Sequence, residues 1–455
     1  MTVTRILAPV LVVLAFSGCQ GMSRVSIDSL VRDMVGPGSP AAAPKPAERP
    51  VAAAAPPRAD TFFLTGDTRV VGDLAAVTVG PEDTLVDIAR RYGVGYREIK
   101  AANPHVDTWV PHDGTTVLLP TRYILPHAPR EGIVLNLATF RLFYYPPRRR
   151  GEARVVITHP IGIGREDWPT PRMVSHVSGK VVNPVWSVPA SIRREHAAMG
   201  DPLPAAVPPG PDNPLGSYAM RMGNTSYLIH GTNKPAGIGR QVSHGCIQLY
   251  PEDIQALYRL VPVGTRVTIV DQPYLAAWQD GDLYFEAHEP LADRRTARAT
   301  TRTLRKVLAH TLDQGPYPVE VDWNKVQDIA SQGAGIPVPV ERGKPSAEEL
   351  VAAVPVYTPP AVPAVQQDKA VASQLGRSVA SWYVQAGSYR DYLGARRMSA
   401  MLAHLGPPIP ARAVVGQGMH KVVAGPFKSR HEAESIAKRI EMNLGAETLV
   451  VPPGI

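Results

Sequence analysis

The chain has 455 residues, 44% of them hydrophobic, a formal net charge of +8, 47 prolines and two cysteines. That length exceeds one ordinary hydrophobic core and implies about three units, and two cysteines exclude a disulfide-stapled scaffold. The proline excess marks domains joined by tethers, while the positive charge admits nucleic acid, acidic lipid or cell wall as an anionic partner without choosing among them.

From the N-terminus, Arg5 is followed by the apolar run Ile6 to Phe16 and then Ser17-Gly18-Cys19. The run is too short to span a bilayer and reads as an export signal. Residues 1–19 resemble a bacterial lipoprotein signal. That resemblance implies lipidation of Cys19 and, with Gln20 next, an anchor in the outer membrane facing the periplasm. An ordinary secretory signal with an incidental cysteine is the alternative, and either one exports the chain. Residues 20–75 follow as a Pro/Ala-rich tether, most extreme between Gly36 and Arg58, where too little apolar surface exists to offset chain entropy.

Over residues 76–120, Val77-Thr78-Val79 and Val117-Leu118-Leu119 flank two helical patterns. Asp83 or Thr84 is placed to cap the first helix, Leu85, Ile88 and Ala89 give it an apolar face, and Gly93 ends it. This piece resembles a LysM module of βααβ form, which implies binding to glycan strands. A small packing domain without ligand explains the same residues.

Over residues 131–271 strand signals dominate: Ile133 to Leu137, Arg141 to Tyr145, Val155 to Thr158 and Val267 to Val270. The convincing helix runs from Pro251 to Leu260, with proline in its first turn and Ile254, Leu257 and Tyr258 on one face. Residues 272–345 are an extension that includes a basic stretch from Arg294 to Leu312, which reads as a solvated helix face because no stacking aromatics are interleaved. Residues 346–377 read as linker, with Val351 to Val365 rich in Pro, Val and Ala.

The last piece, 378–453, repeats strand then helix: Trp382 to Tyr389 with a helix to Leu405, and Lys421 to Phe427 with a helix to Leu444. It resembles an α+β SPOR domain, which implies binding to peptidoglycan glycan strands and enrichment at the division site. RNA-binding folds share this element order, but an exported chain meets no nucleic acid.

The chemistry lies in Leu228-Ile229-His230-Gly231-Thr232-Asn233 and, ten residues after Asn233, Ser243-His244-Gly245-Cys246-Ile247-Gln248. A thiol becomes a competent nucleophile when a histidine takes its proton or lowers its pKa. From residue types alone, a buried inert cysteine among structural histidines competes with this reading. A zinc site from His230, His244 and Cys246 lacks an evident fourth ligand.

Together with Pro160-Ile161-Gly162-Ile163-Gly164 and Pro208 to Gly216, these motifs resemble the L,D-transpeptidase catalytic domain of the YkuD/ErfK type, a mainly-β sandwich. The resemblance implies Cys246 as nucleophile, His230 as general base oriented by the Gly231 carbonyl, His244 in a secondary role and Gly245 in the oxyanion backbone. The expected substrate contacts are Ser243, Thr232, Asn233 and Gln248, with Arg240, Arg221 or Lys234 to supply a cation beside them, and no cofactor or metal is expected.

The implied substrates are peptidoglycan tetrapeptide stems. Cys246 would expel D-alanine from diaminopimelate and pass the acyl group to another stem, giving a 3-3 cross-link, or to an amine of an outer-membrane lipoprotein. Water as acceptor would make an L,D-carboxypeptidase or an amidase that releases wall-bound protein. A non-catalytic wall-binding scaffold is the reading from another class. Gln248 stands where the family usually carries arginine, which removes a bidentate donor for a carboxylate.

Overall fold

The structure, a computed structural model, describes residues 51–52, 58–66, 68–148, 151–291, 301–358, 381–416 and 418–453. The export signal with Cys19, most of the tether before Arg58, the start of the basic stretch and the linker from residue 359 lie outside the described residues.

The catalytic region is built on a nine-stranded sheet. Its order, from one edge, is Ile247–Gln248, Leu228–His230, Tyr218–Met222, Val174–Val182, Arg266–Val270, Gly132–Asn136, Arg141–Tyr145, Arg154–Pro160 and Thr61–Leu64. The long strand Val174–Val182 belongs to both halves. Val174 to His176 pair with Arg266 to Thr268, whereas Val177 and Gly179 to Val182 pair with Tyr218 to Met222. The sheet can therefore fold across this strand and close on itself, with Ile133, Leu135, Leu142, Met220, Ile229 and Ile247 meeting in one core. Alternation sends Val134, Phe143 and Tyr145 to the opposite face, where they join Val71, Tyr123 and Val156. The helix Pro251–Leu260 starts on its proline and sets Ile254 and Leu257 into the main core.

Residues 58–75 depart from the tether reading. Thr61–Leu64 adds an antiparallel edge strand against Arg154 to Ile157, and Val70–Val71 pairs with Tyr123–Ile124. The run Thr61-Phe62-Phe63-Leu64 has strong strand preference, and Phe62 packs on the Val71 and Tyr123 cluster. The first part of the linker is also structured. Ser346 closes a capping box with Glu349 over the helix Ala347–Ala352, and Val356–Tyr357 pairs in parallel with Ala76 and Val77.

The LysM-like piece pairs Ala75–Thr78 with Thr116–Leu119 around the helices Leu85–Arg91 and Tyr96–Ala102. Thr84 caps the first helix in a reciprocal box with Asp87, and Gly93 leaves it at a left-handed φ of 67°. Contacts both buried and exposed join this piece and the segment before it to the sandwich. Arg141, almost fully buried, donates to both Glu98 oxygens at 2.7 and 3.0 Å and to the Gly93 carbonyl at 3.0 Å. Arg90 pairs with Glu252 at 2.8 Å, and Arg58 ion-pairs with Asp253.

The extension forms a hairpin, Tyr274–Gln279 with Asp282–Ala287, covered by the helices Thr301–Asp313 and Trp323–Gln332. Its core of Ala276, Phe285, Leu304, Leu308 and Val326 takes in Ala76 and Leu118 of the LysM-like piece. The basic helix turns Leu304 and Leu308 inward, and its Arg305 lies over the Trp323 ring.

The C-terminal domain has a four-stranded sheet in the order Ala411–Gly416, Met419–Phe427, Trp382–Tyr389, Leu449–Val451, packed on the helices Tyr392–Ala403 and Arg430–Leu444. It rests on the LysM-like piece through His404 with Asp87 at 3.0 Å and Arg397 with Asp107 at 2.7 Å. Against the sandwich, Lys438 donates to the Gly200 carbonyl at 2.6 Å. Gly406 sits so close to Asn233 that an added Cβ would lie 2.5 Å from its carbonyl oxygen. Among the described residues no helix is long and apolar enough to cross a membrane.

Candidate active site

His230 ends the strand Leu228–His230, and Cys246 immediately precedes its parallel neighbour Ile247–Gln248, with Ile229 opposite Ile247 and His230 opposite Gln248. Ile229 and Ile247 point into the core, so alternation turns Leu228, His230, Cys246 and Gln248 to the other face. The Leu228 N–H points at the Cys246 sulfur, 3.4 Å away. This is how two motifs separated in sequence become neighbours.

The His230 imidazole is buried, and its Nδ1 lies 2.6 Å from the Gly231 carbonyl. A carbonyl can only accept, so Nδ1 carries the hydrogen and Nε2 keeps its lone pair. Burial lowers the imidazole pKa to about 4, against the pull of the Gly231 and Leu215 carbonyls, and the ring is neutral near pH 7. Cys246 is partly exposed. Burial also raises its thiol pKa, outweighing the Leu228 N–H that favours the thiolate. Thiol and imidazole thus rest uncharged.

The turn before the thiol is held from several sides. Ser243 Oγ donates to the Cys246 carbonyl at 2.6 Å, and Thr170 Oγ1 donates to the Gly245 carbonyl at 3.0 Å while accepting from the Gly164 N–H. Gly245 has φ 95°, and a Cβ there would lie 2.5 Å from the Tyr227 ring, so only glycine fits. The Gly162 to Gly164 motif lies alongside, with Gly162 and Gln248 exchanging main-chain hydrogen bonds at 2.8 and 2.9 Å.

His244 belongs to a second cluster. Its Nε2 meets Glu195 at 2.9 Å and its ring meets the Trp168 edge at a centroid distance of 4.7 Å. Arg165 completes this cluster with a 2.6 Å bond to Glu195. Glu195 lies on the helix Ala190–Ala198, which the sequence reading passed over because Ile192 is its one buried residue and no apolar stripe announces it. Arg165 and Trp168, which follow Gly164 directly, were legible only as neighbours of that motif.

Gln248 lies beside Gly162, on the face of the sheet that carries Cys246. The remaining expected substrate contacts carry structural bonds. Thr232 Oγ1 accepts the Lys234 N–H at 2.9 Å, and Asn233 Nδ2 donates to the Pro211 carbonyl at 3.1 Å. Arg240 lies flat on Tyr96 of the LysM-like piece, 3.4 Å from the ring centroid, and Tyr96 N–H donates to the adjoining Ile238 carbonyl. Among the described residues no cluster of three or more His, Cys, Asp or Glu side chains could hold a metal ion.

Residues 130–269 match the YkuD family, described as the L,D-transpeptidase catalytic domain. The protein named "Probable L,D-transpeptidase ErfK/SrfK" in Salmonella typhimurium is 41% identical over 282 residues, covering 61% of this chain and 90% of its own. The chain belongs to the L,D-transpeptidase family. The Escherichia coli protein named "Probable L,D-transpeptidase YcfS" is 40% identical over 309 residues, 66% of this chain and 94% of its own. Residues 77–119 match the LysM domain and 378–452 the SPOR domain, so this transpeptidase carries two peptidoglycan-binding domains beside a catalytic domain that acts on wall peptides. Among solved structures, the catalytic domain of the Enterococcus faecium L,D-transpeptidase aligns with 32% of this chain and 99% of its own, at 23% identity and a TM-score of 0.24.

Proposed function

We propose that Cys246 is the nucleophile and His230 the general base of a transpeptidation on tetrapeptide stems. The observation that carries this reading is the pairing of Leu228–His230 with Ile247–Gln248, which sets thiol and imidazole on one face while the Gly231 carbonyl leaves Nε2 as a proton acceptor.

His230 Nε2 takes the thiol proton as sulfur attacks the carbonyl between diaminopimelate and D-alanine. The N–H groups of Gly245 and Cys246 receive the oxyanion. The proton passes to the departing D-alanine amine, leaving a thioester. An amine, from a second stem or from a protein lysine, then gives a proton to His230, attacks the thioester and releases the thiol. The Gly231 carbonyl plays the orienting part of a triad's third member. Cys19 lipidation would hold the enzyme at the periplasmic face of the outer membrane.

Purified enzyme incubated with tetrapeptide muropeptides and a lysine-bearing lipoprotein is expected to release D-alanine and give cross-linked or protein-linked products by mass spectrometry. Cys246→Ala should give none, and His230→Gln should be slower by about 100-fold or more. Identical profiles from wild type and Cys246→Ala would refute the assignment. Palmitate labelling lost in Cys19→Ser is the expected sign of the anchor.

A further inference from the structure

Beside the nucleophile, the protein grips one of its own carboxylates from two sides. Arg165 Nη2 donates to Glu195 Oε1 at 2.6 Å, and His244 Nε2 meets Oε2 at 2.9 Å. The two gripping groups stand on the catalytic wall. Arg165 donates its main-chain N–H to the Ser243 carbonyl at 2.9 Å and lies over Trp168, which also meets the His244 ring. The gripped group does not. Glu195 rides on the helix Ala190–Ala198, whose one buried residue is Ile192, so part of its tie to the sandwich runs through these two contacts.

A guanidinium and an imidazole set to take one oxygen each is the donor pattern that recognises a carboxylate. His244 is two residues before Cys246, and the strand that leads into Arg165 pairs with Ser243, so the grip is built on the segments that flank the thiol. The stem carries several carboxylates near that bond, among them those of the leaving D-alanine and of the far centre of diaminopimelate. Gln248, on the thiol's face of the sheet, is uncharged and supplies no cation for either. We propose that Arg165 and His244 form the subsite for a carboxylate of the donor stem, and that Glu195 occupies it until the substrate displaces it. This rests on the reading of Cys246 as nucleophile on a peptide stem.

The internal carboxylate acts as a tethered competitor, so apparent affinity falls by the fraction of time the subsite stands open. The full chain is assayed by mass spectrometry on the tetrapeptide donor and on two analogues, one amidated on D-alanine and one on the diaminopimelate side-chain carboxylate. Arg165→Gln is expected to raise KM for the free acid about tenfold, the cost of one charge-assisted hydrogen bond. It should have little effect on the one analogue lacking the recognised carboxylate, which thereby identifies the source. Arg165→Lys should recover part of the loss, and Glu195→Gln should lower KM for the free acid several-fold. Equal losses by Arg165→Gln on these three donors and on a fourth amidated at every stem carboxylate, or a raised KM in Glu195→Gln, would overturn the subsite. A wild-type enzyme that turns over none of the three donors refutes the stem reading itself, and the subsite falls with it.

Discussion

The Cys246 thiol is harder to ionise than an ordinary cysteine because burial disfavours the thiolate more than the Leu228 N–H stabilises it. Without substrate, its alkylation by iodoacetamide should rise only at strongly alkaline pH; an inflection below pH 7 would mean a preformed thiolate pair. As the proposed base, His230 sets the acid side. Its pKa is lowered to about 4, and below that value the protonated ring cannot accept the thiol proton. The kcat/KM profile is therefore expected to hold its level to about pH 5 and fall with an inflection near 4. An inflection near the ordinary histidine value would show that the ring is not buried neutral. At Gly245, a left-handed φ and the Tyr227 ring both oppose a side chain, so Gly245→Ala should cost ~1–3 kcal/mol in a denaturant titration and sharply lower kcat.

Among the elements, legibility followed the hydrophobic pattern. The helix Pro251–Leu260 declared itself by its apolar face and first-turn proline, and the strand Arg141–Tyr145 by a continuous run of bulky strand-forming residues buried on both faces. The helix Ala190–Ala198 has no such face, and Arg165 and Glu195 come from separate segments that only the folded sheet brings together. Thr61–Leu64 was hidden by the proline-rich composition around it. Arg240 offers itself as a cation to replace the one missing at Gln248, while the contact it makes, Tyr96, lies in another domain. The same blindness applies to Arg141, whose partners Glu98 and Gly93 sit far upstream. Arg141→Ala would leave Glu98 buried and unpaired, and the expected loss is ~3–5 kcal/mol in urea unfolding. Arg141→Met with Glu98→Leu should recover much of it.

At the scale of the whole molecule, the SPOR domain is held on the LysM domain by contacts that respond to pH and salt. Burial works against a charged His404, but the hydrogen bond and charge of Asp87 outweigh it and raise the pKa above 6.5. His404 therefore favours docking fully below that ordinary value, and its contribution fades as pH rises through the raised one. Partial desolvation works against a charged Asp87 too, yet His404 and Thr84 lower its pKa, so its contribution disappears only in strong acid. Docking should be tightest at mildly acidic pH and loosen as pH rises through the raised His404 value, or at high salt. Energy transfer between dyes on the SPOR and LysM domains measures this, and His404→Ala should remove the pH dependence while the Arg397 pair with Asp107 persists.

The LysM domain behaves differently, because buried bonds from Arg141 and the seat of Arg240 on Tyr96 make it one body with the sandwich. An enzyme built this way is a jig. Wherever the LysM domain grips a glycan strand, the thiol stands at one set offset from the grip, and stems at other offsets lie out of reach. Cross-links laid down along a strand would then inherit a pitch from the protein rather than from the wall. Glycans of defined length carrying a single stem should be used best when that stem lies at one particular distance from the LysM-bound sugars.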